Sequence, residues 1–123
     1  MDSKWRGEAE TFVSIMRELA PEVRLDYSPK SLDELDAFIT KRFEPLGSRR
    51  VGDSLIVGVG CYVGEVIIRT IGGHWGSAGG PEVDEIGGVQ AVFPLQKAVK
   101  RFRNGAVDSL SFYYAAIKKH AGK

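Results

Sequence analysis

Tyr62, Glu65, His74 and Trp75 are the residues whose types and spacing could do chemistry in this chain. A carboxylate and an imidazole can share general acid–base work, and a phenol and an indole can orient a small ligand between them. Glu65 stands in the most apolar stretch of the sequence, residues 55–68, which holds three glycines and no other charge. A carboxylate there must reach the surface, find a partner or stay protonated. Three arrangements answer that requirement. Arg69 follows four residues later, the spacing of a helical ion pair. The turn at residues 72–75 offers polar groups of its own. The third arrangement is a ligand-binding or catalytic carboxylate. His74 lies about 2.5 helical turns further on and meets Glu65 only if the chain folds back at Gly72-Gly73.

Other chemistry finds little support. There are two histidines and one cysteine, with no HxH, HExxH or CxxC spacing, so neither a metal nor a cofactor is expected. The nucleophile elbow GxSxG is absent. Gly58, Gly60 and Gly64 suggest a dinucleotide loop, but Val63 occupies the third glycine's place and no alternating strand–helix series follows. Packing is the better account of those glycines. In a helix Gly60 and Gly64 share a face and admit a close neighbour.

The segment Gly60-Cys61-Tyr62-Val63-Gly64-Glu65, followed by Gly72-Gly73-His74-Trp75, resembles the GxYxGE…GGxW pattern of small uncharacterised bacterial proteins of the DUF3806-like type. The resemblance extends loosely over residues 31–118. It implies a helix over 53–71 followed by a short antiparallel sheet, and it attaches no activity to these positions.

The elements that must position the four residues can be read from periodicity. Trp5, Ala9, Phe12, Ile15, Met16 and Leu19 recur at helical spacing until Pro21. Ser28-Pro29 reads as a turn, and Ser31 with Glu34 as a capping box opening a second helix. Leu35, Phe38, Ile39 and Phe43 give that helix its inner face, and Pro45 and Gly47 end it. The 53–71 stretch is long for a strand and is read as a helix capped by Asp53 and stopped by Gly72-Gly73. Gly79-Gly80-Pro81 is a loop, and residues 83–86 and 89–93 suit a tight hairpin around Gly87-Gly88. Pro94 opens a helix with Leu95, Val99 and Phe102 inward, ended by Asn104-Gly105. Asp108 then caps a last helix that turns Leu110, Tyr113, Tyr114 and Ile117 inward.

The 123 residues fit one domain, 1–123, of ordinary globular composition with 43% apolar and 27% charged residues. Net charge is +1 but unevenly placed, near −5 over residues 1–96 and +6 over residues 97–123. Lys97, Lys100 and Arg101 form one basic helical face, with Arg103, Lys118, Lys119 and Lys123 nearby. Such a face is either solvated or meets an acidic partner, which includes a second copy of the chain. The acids elsewhere oppose a broad phosphate track, so nucleic acid is not expected. Acids at Glu8 and Glu10, no apolar leader and no span of about 20 uncharged residues point to the cytoplasm and away from a membrane.

The expectation is therefore an α+β fold with helices packed on a small antiparallel sheet. The expected function is a non-enzymatic interaction or binding module, such as an immunity or accessory protein, acting on a protein partner or as a homo-oligomer. The alternative is a small enzyme or ligand-binding domain built on Tyr62, Glu65, His74 and Trp75.

Overall fold

The computed structural model describes residues 3–46, 52–76, 80–87 and 90–123. Five helices and a two-stranded antiparallel sheet make up the described fold: α1 (Ser3–Leu19), α2 (Pro29–Arg42), α3 (Asp53–Thr70), β1 (His74–Trp75), β2 (Val83–Asp84), α4 (Pro94–Asn104) and α5 (Leu110–His120). Two 3₁₀ turns, Glu44–Leu46 and Gly105–Asp108, follow α2 and α4. No helix among the described residues is long and apolar enough to cross a membrane.

α3 is the centre of the fold. Every residue from Gly58 to Ile67 is buried, and α1 and α4 make its most extensive contacts. The glycines let those neighbours in. A β-carbon added at Gly58 would lie 2.7 Å from the Phe12 ring, one at Gly60 2.7 Å from the Leu95 backbone, and one at Gly64 2.1 Å from the Trp75 ring. The helix ends where Gly72 and Gly73 take φ values of 135° and 95°, conformations that a side chain disfavours. Its cap differs from expectation: Gly52 is the N-cap, and Asp53 lies inside the first turn, where its negative charge complements the positive end of the helix dipole.

The caps of α2 and α5 are each displaced from the expected residue. Ser28 caps α2, its hydroxyl accepting the Ser31 N–H at 3.2 Å, and Pro29 occupies the first turn. The Ser28-Pro29 pair therefore starts the helix rather than making a separate turn. Proline without an N–H is well suited to that position. This frees Ser31 to turn inward, and Glu34 accepts the Arg24 N–H at 2.9 Å instead of closing a box. At α5 the cap is Ser109, whose Oγ accepts the Phe112 N–H at 3.2 Å, and not Asp108.

Two inner faces are rotated. α1 buries Ala9, Phe12, Val13 and Met16 but leaves Ile15 and Leu19 51% and 76% exposed. α4 buries Ala98, Arg101 and Phe102 and exposes Val99. In the sheet, Trp75 pairs with Val83, and Val83 also bridges to Val92 through paired backbone hydrogen bonds of 2.9 and 3.0 Å. Among the described residues the Val83–Val92 pairing is an isolated antiparallel bridge. Gly47, Gly79, Gly88 and Val89, given roles above in a helix stop, a loop and a hairpin, lie outside the described residues.

Gly64→Ala tests the close approach. Alanine is favoured over glycine in a helix by about 1 kcal/mol, yet the new methyl meets a rigid indole whose ring N–H is already bonded. The variant is expected to lose about 1–3 kcal/mol in denaturant unfolding. A neutral or stabilising result removes the packing role of Gly64.

Candidate functional site

Tyr62, Glu65 and Arg69 follow one another at intervals of three and four on α3, which stacks them along one face. Trp75 reaches that face because the chain reverses at Gly72-Gly73. Glu65 is 4% exposed and has both oxygens engaged. Oε1 accepts from Arg69 Nε at 2.9 Å, and Oε2 accepts from the Trp75 indole N–H at 2.9 Å. Two of the three expected arrangements thus hold together: the helical ion pair and the tie to the following turn.

The network continues outward. The Arg69 guanidinium lies 3.6 Å over the Tyr27 ring, and Tyr27 stacks on Tyr62 at 4.9 Å between centroids. Tyr27 has φ of 63°, uncommon for a bulky residue, and its contacts hold it there. Its N–H donates to the Tyr62 hydroxyl at 2.8 Å. Ser31 spends its own proton on the Ser28 carbonyl at 2.6 Å, so the Tyr62 O–H donates to Ser31 Oγ at 2.7 Å. Burial pushes the Tyr62 phenol up to about 12, against the hydrogen bond from the Tyr27 N–H, which lowers it. Burial also raises Tyr27, outweighing the nearby Arg69 cation. Neither phenol ionises near neutral pH.

His74 is not part of this network. Successive strand residues point to opposite faces, so Trp75 goes inward and His74 outward, 45% exposed at its side chain. Its Nδ1 pairs with the Trp75 carbonyl at 2.8 Å and its Nε2 with Glu85 at 2.5 Å. The fold-back at Gly72-Gly73 delivers the indole to Glu65 and leaves the imidazole outside. Three of the four candidate residues are brought together and the fourth is not. Among the described residues no cluster of three or more His, Cys, Asp or Glu side chains is placed to hold a metal ion.

A second buried network was missed by sequence reasoning. Arg101, assigned above to an exposed basic face, is fully buried. Its Nε donates to Asp36 Oδ1 at 2.8 Å, and its Nη2 donates to the Asp36 carbonyl at 3.0 Å and to Thr40 Oγ1 at 2.7 Å. Asp36 also receives the N–H groups of Leu110 and Ser111 and the Ser109 hydroxyl, each at 3.0 Å. One carboxylate from α2 thereby holds a cation from α4 and the first turn of α5. The available signal was the position of Arg101, three residues after Ala98 and one before Phe102, on the arc that faces inward. Arg101 Nη1 is buried with no hydrogen-bond partner among the described residues.

The expected basic face is dismantled accordingly. Lys97 pairs with Asp108 at 2.9 Å, Arg101 turns inward, and Lys100 and Arg103 stay exposed. Basic charge gathers elsewhere. An open cleft of about 620 Å³ is lined by Lys30 at the start of α2 and by Lys118, Lys119 and Lys123 at the end of α5. Its one acid, Asp33, accepts from the Ser111 hydroxyl at 2.5 Å. Compared with protein-family models, curated proteins and solved structures, the chain matches none.

Two measurements follow from these networks. Asp36→Asn leaves the buried Arg101 charge without its counter-ion and is expected to cost about 3 kcal/mol or more. The double variant Asp36→Asn/Arg101→Met should recover much of that loss in denaturant unfolding. Recovery of nothing would show that Asp36 acts only through α5.

The hydrogen bond to Glu85, then that to the Trp75 carbonyl, raise His74 above its ordinary value of 6.5. A raised folded value stabilises the folded state fully below the unfolded pKa, and the contribution is lost as pH rises through the folded one. NMR titration should place His74 above 6.5, and Glu85→Gln should bring it back toward that value.

Proposed function

We propose that this chain is a non-enzymatic interaction module whose working surface is the lysine cleft between the start of α2 and the end of α5. One observation carries the reading. Lys30 and Lys118, Lys119 and Lys123 are far apart in sequence, line one cleft of about 620 Å³, and form no ion pair among the described residues. The α5 C-terminus helps to gather them: Gly122 takes φ of 73°, and the Lys123 N–H returns to the Lys118 carbonyl at 3.1 Å. A surface of one sign raises the local concentration of an oppositely charged partner and speeds its approach. The partner proposed is a protein with an acidic surface, and the chain's role is that of an immunity or accessory protein covering it in a bacterial cytoplasm. The resemblance to DUF3806-like proteins, to which no activity attaches, is compatible with such a role.

The rival reading, a small enzyme or ligand-binding domain at Tyr62, Glu65, His74 and Trp75, finds less support in this geometry. A general base needs a free lone pair facing substrate. Both Glu65 oxygens accept hydrogen bonds from the protein's own side chains, the Tyr62 hydroxyl accepts one bond and donates another, and His74 points away.

Charge reversal tests the proposal. Affinity capture from a lysate is run with the wild type and with Lys30→Glu/Lys118→Glu/Lys119→Glu, whose exposed positions leave the fold intact by circular dichroism. The wild type should retain an acidic protein that the variant loses and that high salt releases. Retention insensitive to both, or capture of nucleic acid instead, overturns the reading.

A further inference from the structure

We infer that a second copy of this chain docks in the apolar groove formed by α1, the end of α2 and the start of α3, giving a two-fold dimer. The groove encloses about 550 Å³ and is lined chiefly by Phe12, Ile15, Leu19, Phe38, Phe43 and Leu55. Its lining does not overlap that of the lysine cleft, so each proposal can fail without the other. The apolar arc of α1 is wider than the fold uses. Ile15 and Leu19 are 51% and 76% exposed although the inner side of the same helix is fully packed. An apolar strip left in water beside a groove of the same character marks a surface that another chain covers.

The charges at the groove select the occupant. Trp5 lies 6.3 Å from Trp75, which sits on Gly64, and Phe12 sits on Gly58, so α1 runs antiparallel to α3. The Leu19 end of α1 therefore lies toward the start of α3. α2 also runs antiparallel to α3: Ser31 near its start bonds Tyr62, and Arg42 at its end lines the groove with Ser54 and Leu55. Arg42 thus stands at the Leu19 end and Glu8 at the other, about 16 Å away along α1 at 1.5 Å per residue. Neither forms an ion pair among the described residues. A groove that is negative at one end, positive at the other and apolar between is complementary to itself turned end for end. A two-fold axis across it puts each Glu8 against the other copy's Arg42. It also seats the projecting Ile15 and Leu19 of each copy against the aromatic walls of the other, as an isologous contact requires.

Sedimentation equilibrium of the purified protein gives the first readout. A concentration-dependent dimer is expected below roughly 1 mM, the range of weak specific association. Leu19→Asp should abolish it with an unchanged circular dichroism spectrum, since that side chain lies mostly in solvent. Glu8→Arg and Arg42→Glu should each weaken self-association on the order of tenfold, through like charges at both ends. Mixed together, these two variants should form a heterodimer. The arginine introduced at position 8 of one chain then meets the glutamate introduced at position 42 of the other, and the unaltered Arg42 and Glu8 meet at the opposite end. A monomer throughout the range overturns the inference and leaves the groove to an amphiphile or a foreign helix. A dimer indifferent to Leu19→Asp, or variants that do not complement one another, overturns it as well.

Discussion

An 18-residue helix with positions 58–67 buried has to be surrounded, and the described residues supply four other helices and a short sheet with which to do it. The other elements are arranged by that demand. α1 and α4 lie along α3, the chain reverses at Gly72-Gly73 to bring Trp75 onto Gly64, and Val83 backs the indole from the sheet. Glycines at 58, 60 and 64 allow these neighbours nearer than any side chain would permit. Glycine weakens a helix interior by about 1 kcal/mol relative to alanine, so the sequence carries a local weakness that only the assembled fold offsets. Secondary and tertiary structure here depend on each other.

Two carboxylates sit inside this arrangement, and both are held by the same logic. Glu65 takes a guanidinium and an indole N–H; Asp36 takes a guanidinium, a hydroxyl and two backbone amides. Buried charges that lose one partner are costly, and buried charges with every oxygen bonded are tolerated and directional. Their geometric effect is to fix relations that apolar packing leaves loose. Glu65 sets the angle at which the turn after α3 returns. Asp36 sets where α5 begins relative to α2 and α4. Such groups resemble functional residues in a sequence because both are polar residues in apolar surroundings.

Much of the fold was legible in the sequence. The five helices stand close to where periodicity placed them, and the glycine stop at 72–73 and the proline start at 94 hold. What failed failed locally. Ser28 rather than Ser31 caps α2, because a proline at 29 is as good a helix opening as a turn. The arcs of α1 and α4 were misjudged by about one residue, since Ile15, Leu19 and Val99 look as apolar as Val13 and Ala98. The candidate site was legible as a cluster but not as a role. Helical spacing put Tyr62 and Glu65 on one face, the tie to the turn that carries Trp75 was one of three open arrangements, and only atomic contacts revealed that these side chains bond within the core. Asp36 and Arg101 are 65 residues apart, and no local pattern joins them.

Cys61 turns this compactness into a timepiece. The lone thiol is fully buried on α3, and burial pushes it up to about 12, so almost no thiolate exists at neutral pH while the helix is covered. A disulfide reagent in solution therefore reacts only during moments when the shell around α3 parts. The rate of that reaction reports how often the molecule breathes, from a single atom placed by nature at its centre, with no label added and no residue changed.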